Sequence, residues 1–455
     1  MSTLTGENHT TILKREEELR DYFRSFVKPD EKKLIGVEVE VFAVHRETGK
    51  AMPYSGEQGI EAMFQALSRR YGYLPVMDGD HAIALTKGDR VIGLEPGGQI
   101  ELSAPPVSSF FEMGHQILGF RKELTSLKAD FPNVRFIAVG FQPFSGLEEI
   151  EWVPKTRYQI MAEYLKTHGT LSHEMMKRTA TNHFNFDYSS EADAMESLRA
   201  VFTLTSLVTA LFANSSFSEG APNGFYSRRL HIWNHTDPAR SGLLSDFAEP
   251  GKTFQDYLNY VLDIPVIFVV RNKQWIPLKH GVTFRRFIKE GYEGIQATVG
   301  DFDLHLSSIF PEARFKQYLE VRGTDGQSPE LIPAAGALWK GILYHPKSRS
   351  AAIELFRGIS KEERMRIHRA IPETGWQMTW GKHSFIEMAE EIIRLSREGL
   401  TVLGKDLVPS ETLFLKRIED KILKRGMPPG KQLAEAWAGP LKKSPAALIE
   451  SLSLG

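Results

Sequence analysis

The stretch Gly36-Val37-Glu38-Val39-Glu40-Val41-Phe42 alternates apolar and acidic residues, a pattern typical of a β-strand. Because successive side chains on a strand point to opposite faces, the valines share one face while Glu38 and Glu40 share the other. The two acids then lie about 7 Å apart, and no Lys or Arg interrupts the run. The acidic face is therefore either a solvated surface or a ligand set for a divalent cation.

Three later segments repeat this design, with apolar residues on one face and acids, amides or imidazole on the other. They cover residues 94–103, 181–188 and 318–323. Their polar faces carry Gln99 and Glu101, then His183, Asn185 and Asp187, and finally Tyr318, Glu320 and Arg322. Ordinary exposed strands mix Thr, Lys and Arg with their acids, so the recurrence favours one metal-lined surface over four solvated ones.

The same pattern predicts the fold class. We expect an α+β protein whose mostly antiparallel sheet carries helices on one face and a concave, metal-lined surface on the other. Helical periodicity is present at residues 11–26, 61–71, 110–131, 190–214, 361–371 and 384–400, and a buried strand is expected at 134–141. No internal repeat or low-complexity linker is visible, so residues 1–455 are predicted to form a single catalytic domain, with a sheet-bearing core at 27–344 and a mainly helical supporting region at 345–455.

The composition is that of a soluble globular protein, with 42% hydrophobic and 25% charged residues. Its 56 basic residues balance 57 acidic ones, so neither nucleic acid nor a membrane is an expected partner. The absence of cysteine excludes disulfides, thiolate metal sites and a cysteine nucleophile. The apolar run 201–217 is short and rich in Thr and Ser, which predicts a buried helix. Residues 1–20 lack the apolar core of a signal peptide, so we predict a cytoplasmic location.

The ligand chemistry of the polar faces also suggests cofactors. Oxygen-rich ligands without sulfur favour Mg²⁺ or Mn²⁺ over structural Zn²⁺. Several such ions in one cavity imply phosphates as co-ligands, which makes ATP the expected co-substrate.

Six motifs, taken together, resemble the glutamate-cysteine ligase family of plants and proteobacteria. They are Gly36-Val37-Glu38-Val39-Glu40, Leu94-Glu95-Pro96-Gly97-Gly98-Gln99-Ile100-Glu101-Leu102-Ser103, Gly140-Phe141-Gln142-Pro143, Pro154-Lys155-Thr156-Arg157-Tyr158, Arg229-Leu230-His231-Ile232-Trp233 and Tyr318-Leu319-Glu320-Val321-Arg322-Gly323. The resemblance runs in register from about the first helix to at least Trp339. It implies a cup-shaped sheet like that of the glutamine synthetase catalytic domain. The implied reaction is ATP-dependent ligation of the γ-carboxylate of L-glutamate to the amine of L-cysteine through γ-glutamyl phosphate, the first step of glutathione biosynthesis.

The resemblance also implies roles for individual residues. The candidate metal ligands are Glu38, Glu40, Glu95, Glu101, His183 and Glu320. Arg322, with Glu320, would act at the transferring phosphoryl group, and Arg157 and Arg229 would hold the glutamate carboxylates, because the planar guanidinium fork pairs bidentately with either anion. Further substrate contacts are expected from Tyr158 and Trp233, and further nucleotide contacts from Gln99 and Asn185.

Two departures from the plant pattern bear on function. Without cysteine, the disulfide-based control of plant members cannot operate. Ile267 stands where plant members are expected to carry a Tyr in the pocket for the acceptor amino acid, and loss of that hydroxyl would change which amine is accepted. Three hypotheses therefore stay open: a glutamate-cysteine ligase, a γ-glutamyl ligase for another amine, and a catalytically silent metal-binding relative. A monomer or homodimer is expected.

Overall fold

The computed structural model of the chain describes residues 10–279, 281–405 and 408–454. Residues 1–9, part of the stretch on which the predicted location rests, lie outside the described residues. Nine strands of the described chain form the main sheet, and every pair of neighbouring strands in it is antiparallel. They are β1 (Ile35–His45), β2 (Leu74–Asp78), β3 (His81–Lys87), β4 (Arg90–Leu94), β5 (Ile100–Ser103), β6 (Val134–Ile137), β7 (Asn182–Phe186), β8 (Ala313–Phe315) and β9 (Leu319–Val321).

The strand order brings together segments that are far apart in the sequence. It runs β8-β9-β7-β1-β5-β4-β3-β2, and β6 also pairs with β1. Glu40 stands opposite Glu101, and Glu38 stands opposite His183. Asn185 likewise stands opposite Glu320. Because directly opposed residues share a face, the predicted polar rows form one continuous surface.

Helices pack against the apolar face of the sheet, and others border its polar face. The helices of eight or more residues are Ile60–Tyr71, Phe110–Ser126, Thr156–Leu165, Glu191–Leu211, Phe254–Leu262, Val299–Leu306, Leu331–Leu343, Pro346–Glu354, Lys361–Thr374, Phe385–Leu403, Thr412–Lys421, Pro429–Ala438 and Pro445–Leu452. Shorter helices are Glu18–Arg24, Ser172–Arg178, Arg228–Trp233 and Phe284–Glu290. Val37, Val39 and Phe184 belong to one core with side chains of Glu191–Leu211 and Leu331–Leu343. The valine face of β1 is thus the packed face, as predicted.

One helix in the described residues, Glu191–Leu211, is long and apolar enough to cross a membrane. Inside the protein, 89% of its most apolar window is buried. Ser190 caps its first turn by accepting a hydrogen bond from the backbone N–H of Asp193. The predicted buried helix is therefore confirmed, and it forms the centre of the core.

Two predicted elements are shorter than expected. The helix expected at 11–26 is present only as Glu18–Arg24, because the chain before it is extended and Leu13 donates its backbone N–H to the carbonyl of Ala297. The strand expected at 134–141 ends at Ile137. Beyond it, Gly140 passes so close to Asp325 that a Cβ at this position would lie 2.6 Å from the Asp325 Cγ.

A buried ion pair joins the C-terminal helical region to the sheet-bearing part. Glu411 accepts hydrogen bonds from the backbone N–H of Phe110 (2.6 Å) and from Lys340 Nζ (2.6 Å). Phe110 is the first residue of Phe110–Ser126, so the carboxylate also meets the positive end of that helix. Only 2% of Glu411 is exposed. The contact therefore ties the start of Thr412–Lys421 to Phe110–Ser126 and Leu331–Leu343.

We expect Glu411→Gln to lower the free energy of unfolding by about 2–4 kcal/mol, because it leaves the Lys340 ammonium buried without its counter-charge. Denaturant unfolding measures this loss. The control is Glu419→Gln, which breaks the ion pair between Glu419 and Arg397. This pair is more exposed than that of Glu411, so its loss should lower the free energy of unfolding by less than about 1 kcal/mol. Equal losses in the two variants would contradict the importance of the buried pair.

Candidate active site

A cavity of about 110 Å³ opens over the polar face of β1, β5 and β7. Predicted site residues that line it are Glu38, Glu40, Glu95, Gln99, Glu101, Arg157, Tyr158, His183, Arg229, Trp233 and Arg322. The sheet contributes most of the acids, whereas Arg157 and Arg229 come from helices. The cavity therefore has an anionic floor and cationic walls.

At one end of the floor, Glu38 and His183 meet Glu320, which lies just behind the cavity lining; the three residues place one ligand atom each within 4.8 Å of one another. His183 Nδ1 lies 3.0 Å from Glu38 Oε2, and its Nε2 has no hydrogen-bond partner among the described residues. Burial, aided by the positive charge of Arg322, lowers the pKa of His183 to about 4. The neutral ring then donates from Nδ1 to Glu38 and leaves the Nε2 lone pair for a cation, so these residues fit a metal ion.

Glu320 is completely buried and is paired with three cationic side chains. Arg314 Nε (2.5 Å) and Arg322 Nη1 (2.7 Å) donate to its Oε2, and Lys316 Nζ lies 3.0 Å from its Oε1. Burial opposes ionisation, but Arg314, Lys316 and Arg322 outweigh it and hold the pKa of Glu320 well below its ordinary value. Glu320 is thus a fixed anion beside the cationic wall.

At the other end of the floor, Glu40, Glu95 and Glu101 crowd together. Burial, with the charges of Glu95 and Glu101, raises the pKa of Glu40 well above its ordinary value. Burial, with the charges of Glu38 and Glu95, raises the pKa of Glu101 to about 8. Like-charged acids that oppose one another's ionisation are a fitting second site for a divalent cation.

The cationic wall faces these acids. Arg157 Nη2 donates to the Ser307 carbonyl (3.1 Å) and hydroxyl (2.9 Å), and Arg229 Nη2 donates to the Arg322 carbonyl (2.9 Å). The guanidinium groups of Arg229 and Arg322 each lie 5.7 Å from the ring centroid of Trp233. Trp233 Nε1 has no partner within the described chain. The wall can therefore receive a carboxylate or a phosphate.

Three predicted contacts need correction or a new role. Ile267 does not line this cavity; it lines a separate groove with Gln159, Ile160 and Tyr164. The next residue, Phe268, places its ring 5.5 Å from the Arg157 guanidinium, so it is Phe268 that lies beside a cavity residue. The Gln99 amide is already bonded to the backbone at Gly97, Met176 and Thr179, so it holds the Pro-Gly-Gly turn in place. The hydroxyl of Tyr158 donates to the Leu94 carbonyl (2.7 Å) and to Glu95 (3.2 Å), so it orients a floor acid.

Asn185 is not part of the cavity lining. It stands opposite both Gly36 and Glu320 on the polar surface. Its Oδ1 has no hydrogen-bond partner among the described residues, so an acceptor remains available there.

Sequence reasoning missed Arg314 and Lys316, which both line the cavity. The signal was available, since the alternation in Ala313-Arg314-Phe315-Lys316 puts both cations on one face of β8 and its extension. Lys155 was also missed, although it belongs to a quoted motif. Its Nζ lies 3.2 Å from the Tyr158 hydroxyl, and burial lowers its pKa to about 8.

Mg²⁺ binding should depend on pH through Glu101. In the folded protein Glu101 keeps its proton up to a pH of about 8, whereas its ordinary pKa is 4.5. Between these values the metal-free native state holds a proton that the unfolded chain has lost, so this group's contribution to stability falls as pH rises. A bound cation needs the ionised carboxylate. We therefore expect MgCl₂ alone to raise the melting temperature more at pH 8 than at pH 6.

The matched control is Glu101→Gln, which has no proton to release at this position and should show a smaller shift with a weaker pH dependence; the dependence that remains would come from Glu40, whose pKa is also raised. His183, with a pKa of about 4, stays neutral across the window and does not confound the comparison. An equal Mg²⁺ shift at pH 6 and pH 8 in the unsubstituted protein would contradict the assignment.

Comparison with known proteins places these features in a family. The family model described as Glutamate-cysteine ligase family 2 (GCS2) matches residues 34–406. The chloroplastic glutamate-cysteine ligase of Nicotiana tabacum is 36% identical over 439 residues, which cover 96% of this chain and 82% of that protein. The corresponding Arabidopsis thaliana enzyme is 35% identical with the same coverage.

A solved structure of similar fold is the glutamate-cysteine ligase of Francisella tularensis in complex with AMP. It matches with a TM-score of 0.54 at 13% identity and covers 93% of this chain and 90% of that one. The predicted α+β fold with a mostly antiparallel sheet is thus confirmed. The predicted cytoplasmic location is wrong, because the plant relatives are named as chloroplastic enzymes.

Proposed function

Because the chain belongs to glutamate-cysteine ligase family 2, we propose that it uses ATP to join the γ-carboxylate of L-glutamate to the amine of L-cysteine, the first step of glutathione biosynthesis. The observation that carries this proposal is one buried cavity in which a floor of carboxylates faces a wall of arginines. The floor suits cations with ATP, and the wall suits the carboxylates of an amino acid. The hypothesis of another acceptor amine rested on Ile267, which lies outside the cavity.

The reaction needs two transfers. The glutamate γ-carboxylate attacks the γ-phosphorus of ATP, which forms γ-glutamyl phosphate and releases ADP. The cysteine amine then attacks the acyl carbon, loses a proton and expels inorganic phosphate. Both steps move negative charge between oxygens, so fixed cations at those oxygens lower the barriers most.

We assign the metal ligands to two groups on the floor. Glu38, His183 and Glu320 form the first, and Glu40, Glu95 and Glu101 form the second. Mg²⁺ or Mn²⁺, when bound there, supplies neutralisation of the polyphosphate and of the attacking carboxylate. The His183 ring is held for this purpose by its bond to Glu38.

The cations of the wall divide between substrates. Arg322, fixed by Glu320, is assigned to the transferring phosphoryl group, and Arg157 and Arg229 to the glutamate carboxylates. The Trp233 ring lies 5.7 Å from the guanidinium groups of both Arg229 and Arg322, so it borders both assigned positions. Asn185, with its unbonded Oδ1, is the assigned nucleotide contact.

We also propose that residues 1–455 act as one catalytic unit in which residues 345–455 support the core. The Glu411 contact with Lys340 and the shared hydrophobic core support this arrangement. A monomer or a homodimer remains the predicted assembly.

The test of the function is glutamate-dependent ADP release in the presence of Mg²⁺, measured with cysteine and with other amino acids in turn. Cysteine is expected to give the highest rate. Glu38→Gln should bring release to background while circular dichroism stays unchanged, because losing a ligand removes charge neutralisation but little packing. Glu320→Gln should also abolish release, but it should lower stability as well, because Arg314, Lys316 and Arg322 lose their buried counter-charge. Another amine as the best substrate would favour the second hypothesis. No release with any amine would favour the silent relative.

Arg322→Lys should lower kcat by roughly a hundredfold, because lysine keeps the charge but loses the planar fork that stabilises developing negative charge. The KM for glutamate should change less, since the contact is stronger in the transition state than in the ground state. Steady-state kinetics with glutamate varied separates the two effects. If KM for glutamate rises while kcat is unchanged, Arg322 is a carboxylate anchor and Arg314 becomes the first alternative for the phosphoryl group.

A further inference from the structure

Asp325 is a buried carboxylate that lies behind the cationic wall, outside the cavity lining. Its Oδ2 accepts hydrogen bonds from the backbone N–H of Asn214 (2.8 Å) and from the Ser215 hydroxyl (2.7 Å). Its Oδ1 accepts from the Ser227 hydroxyl (3.0 Å). An ionised carboxylate is only an acceptor, so both hydroxyls must point their protons at Asp325.

The orientation of these hydroxyls determines what they can offer to the helix Arg228–Trp233. With its proton on Asp325, Ser215 presents a lone pair that accepts from the backbone N–H of Arg229 (3.1 Å). Ser227, the N-cap residue, accepts in the same way from the N–H of Leu230 (3.0 Å). Asp325 thus fixes the start of the helix that carries Arg229 into the cavity.

Asp325 is tightly packed, so its side chain has little room to move. A Cβ on Gly140 would lie 2.6 Å from the Asp325 Cγ and 2.7 Å from its Cβ. The segment that carries Asp325 also carries Arg322, whose carbonyl accepts from Arg229 Nη2 (2.9 Å). Arg229 is therefore tied to residues 322–325 directly through its guanidinium and, through Ser215, at its backbone N–H.

We propose that Asp325 is a positioning residue for Arg229 and that it sets the affinity for the glutamate carboxylate. This inference rests on the proposed function, in which Arg229 binds that carboxylate. An amide at position 325 has one donor group in place of an acceptor oxygen, so at least one of the three donors around it would lose its partner. The start of the helix would then shift, and Arg229 with it.

Asp325→Asn is expected to raise the KM for glutamate by about tenfold, as loss of one charge-assisted hydrogen bond does. The kcat and the KM for ATP should stay within about threefold, because the affected contact is made equally in the ground and transition states. The matched control is Glu411→Gln, another buried acid with a backbone N–H partner, which should lower stability and leave the KM for glutamate unchanged.

Ser215→Ala provides a second test if Asp325→Asn does not fold, since it cuts the link to Arg229 and keeps the carboxylate. It should raise the KM for glutamate by about threefold or more. An unchanged KM in the folded variant, or an equal rise in Glu411→Gln, would overturn the inference while the proposed function stands. An unsubstituted protein without glutamate-dependent turnover would overturn the proposed function and the inference with it.

Discussion

Repulsion between buried carboxylates is the interaction on which the cavity depends. Glu40 and Glu101 stand directly opposite each other on adjacent strands, with Glu95 close by. Ionising such groups out of water costs several kcal/mol each, which raises the pKa of Glu40 and holds a proton on Glu101 up to a pH of about 8 while no cation is bound. The cost is tolerated because the opposite face of the same strands packs into the largest core of the protein, where Val37, Val39 and neighbouring helices leave the strands no freedom to separate. The sheet thus holds these acids close together, and a bound divalent cation would offset the repulsion between them when they ionise.

The arginines of the cavity wall come from other parts of the fold than the acids of the floor. This separation allows the cavity to bind both a metal ion and anionic substrates. Arg157 and Arg229 lie on helices, while Arg314 and Arg322 lie on or beside the outer strands β8 and β9. Cations placed within the acidic floor would neutralise it and compete with a metal ion. Arg157 and Arg229, which are bonded to no floor acid in the described structure, can receive anionic substrates. Glu320 is the exception to this separation, because Arg314, Lys316 and Arg322 already contact it.

Local alternation was sufficient to predict the polar rows at Glu38, His183 and Glu320, because strand periodicity alone decides which face a side chain takes. Their approach to within 4.8 Å depends on register between β1, β7 and β9, which no local pattern contains. The predictions that failed did so for the same reason, since long-range contacts decided the outcome. Residues 11–17 have helical periodicity but pair with Ala297, and Ile267 stands in a suitable motif but faces a different groove. Asp325 carries no local signal of its position behind Arg229.

The hydrogen bonds of the motif residues distinguish those that hold the backbone in place from those that could bind a ligand. The amides of Gln99 and Gln142 are bonded to the backbone, Gln142 to Phe144, Ser145 and Gly49. Buried polar atoms without partners are costly and therefore rare. Within the described chain, His183 Nε2, Trp233 Nε1 and Arg229 Nε are such atoms, and all three residues line the cavity. Other buried atoms of the described chain are also unbonded, but these three belong to residues that line one cavity, so they offer hydrogen-bonding capacity where a metal ion and an anionic substrate would bind.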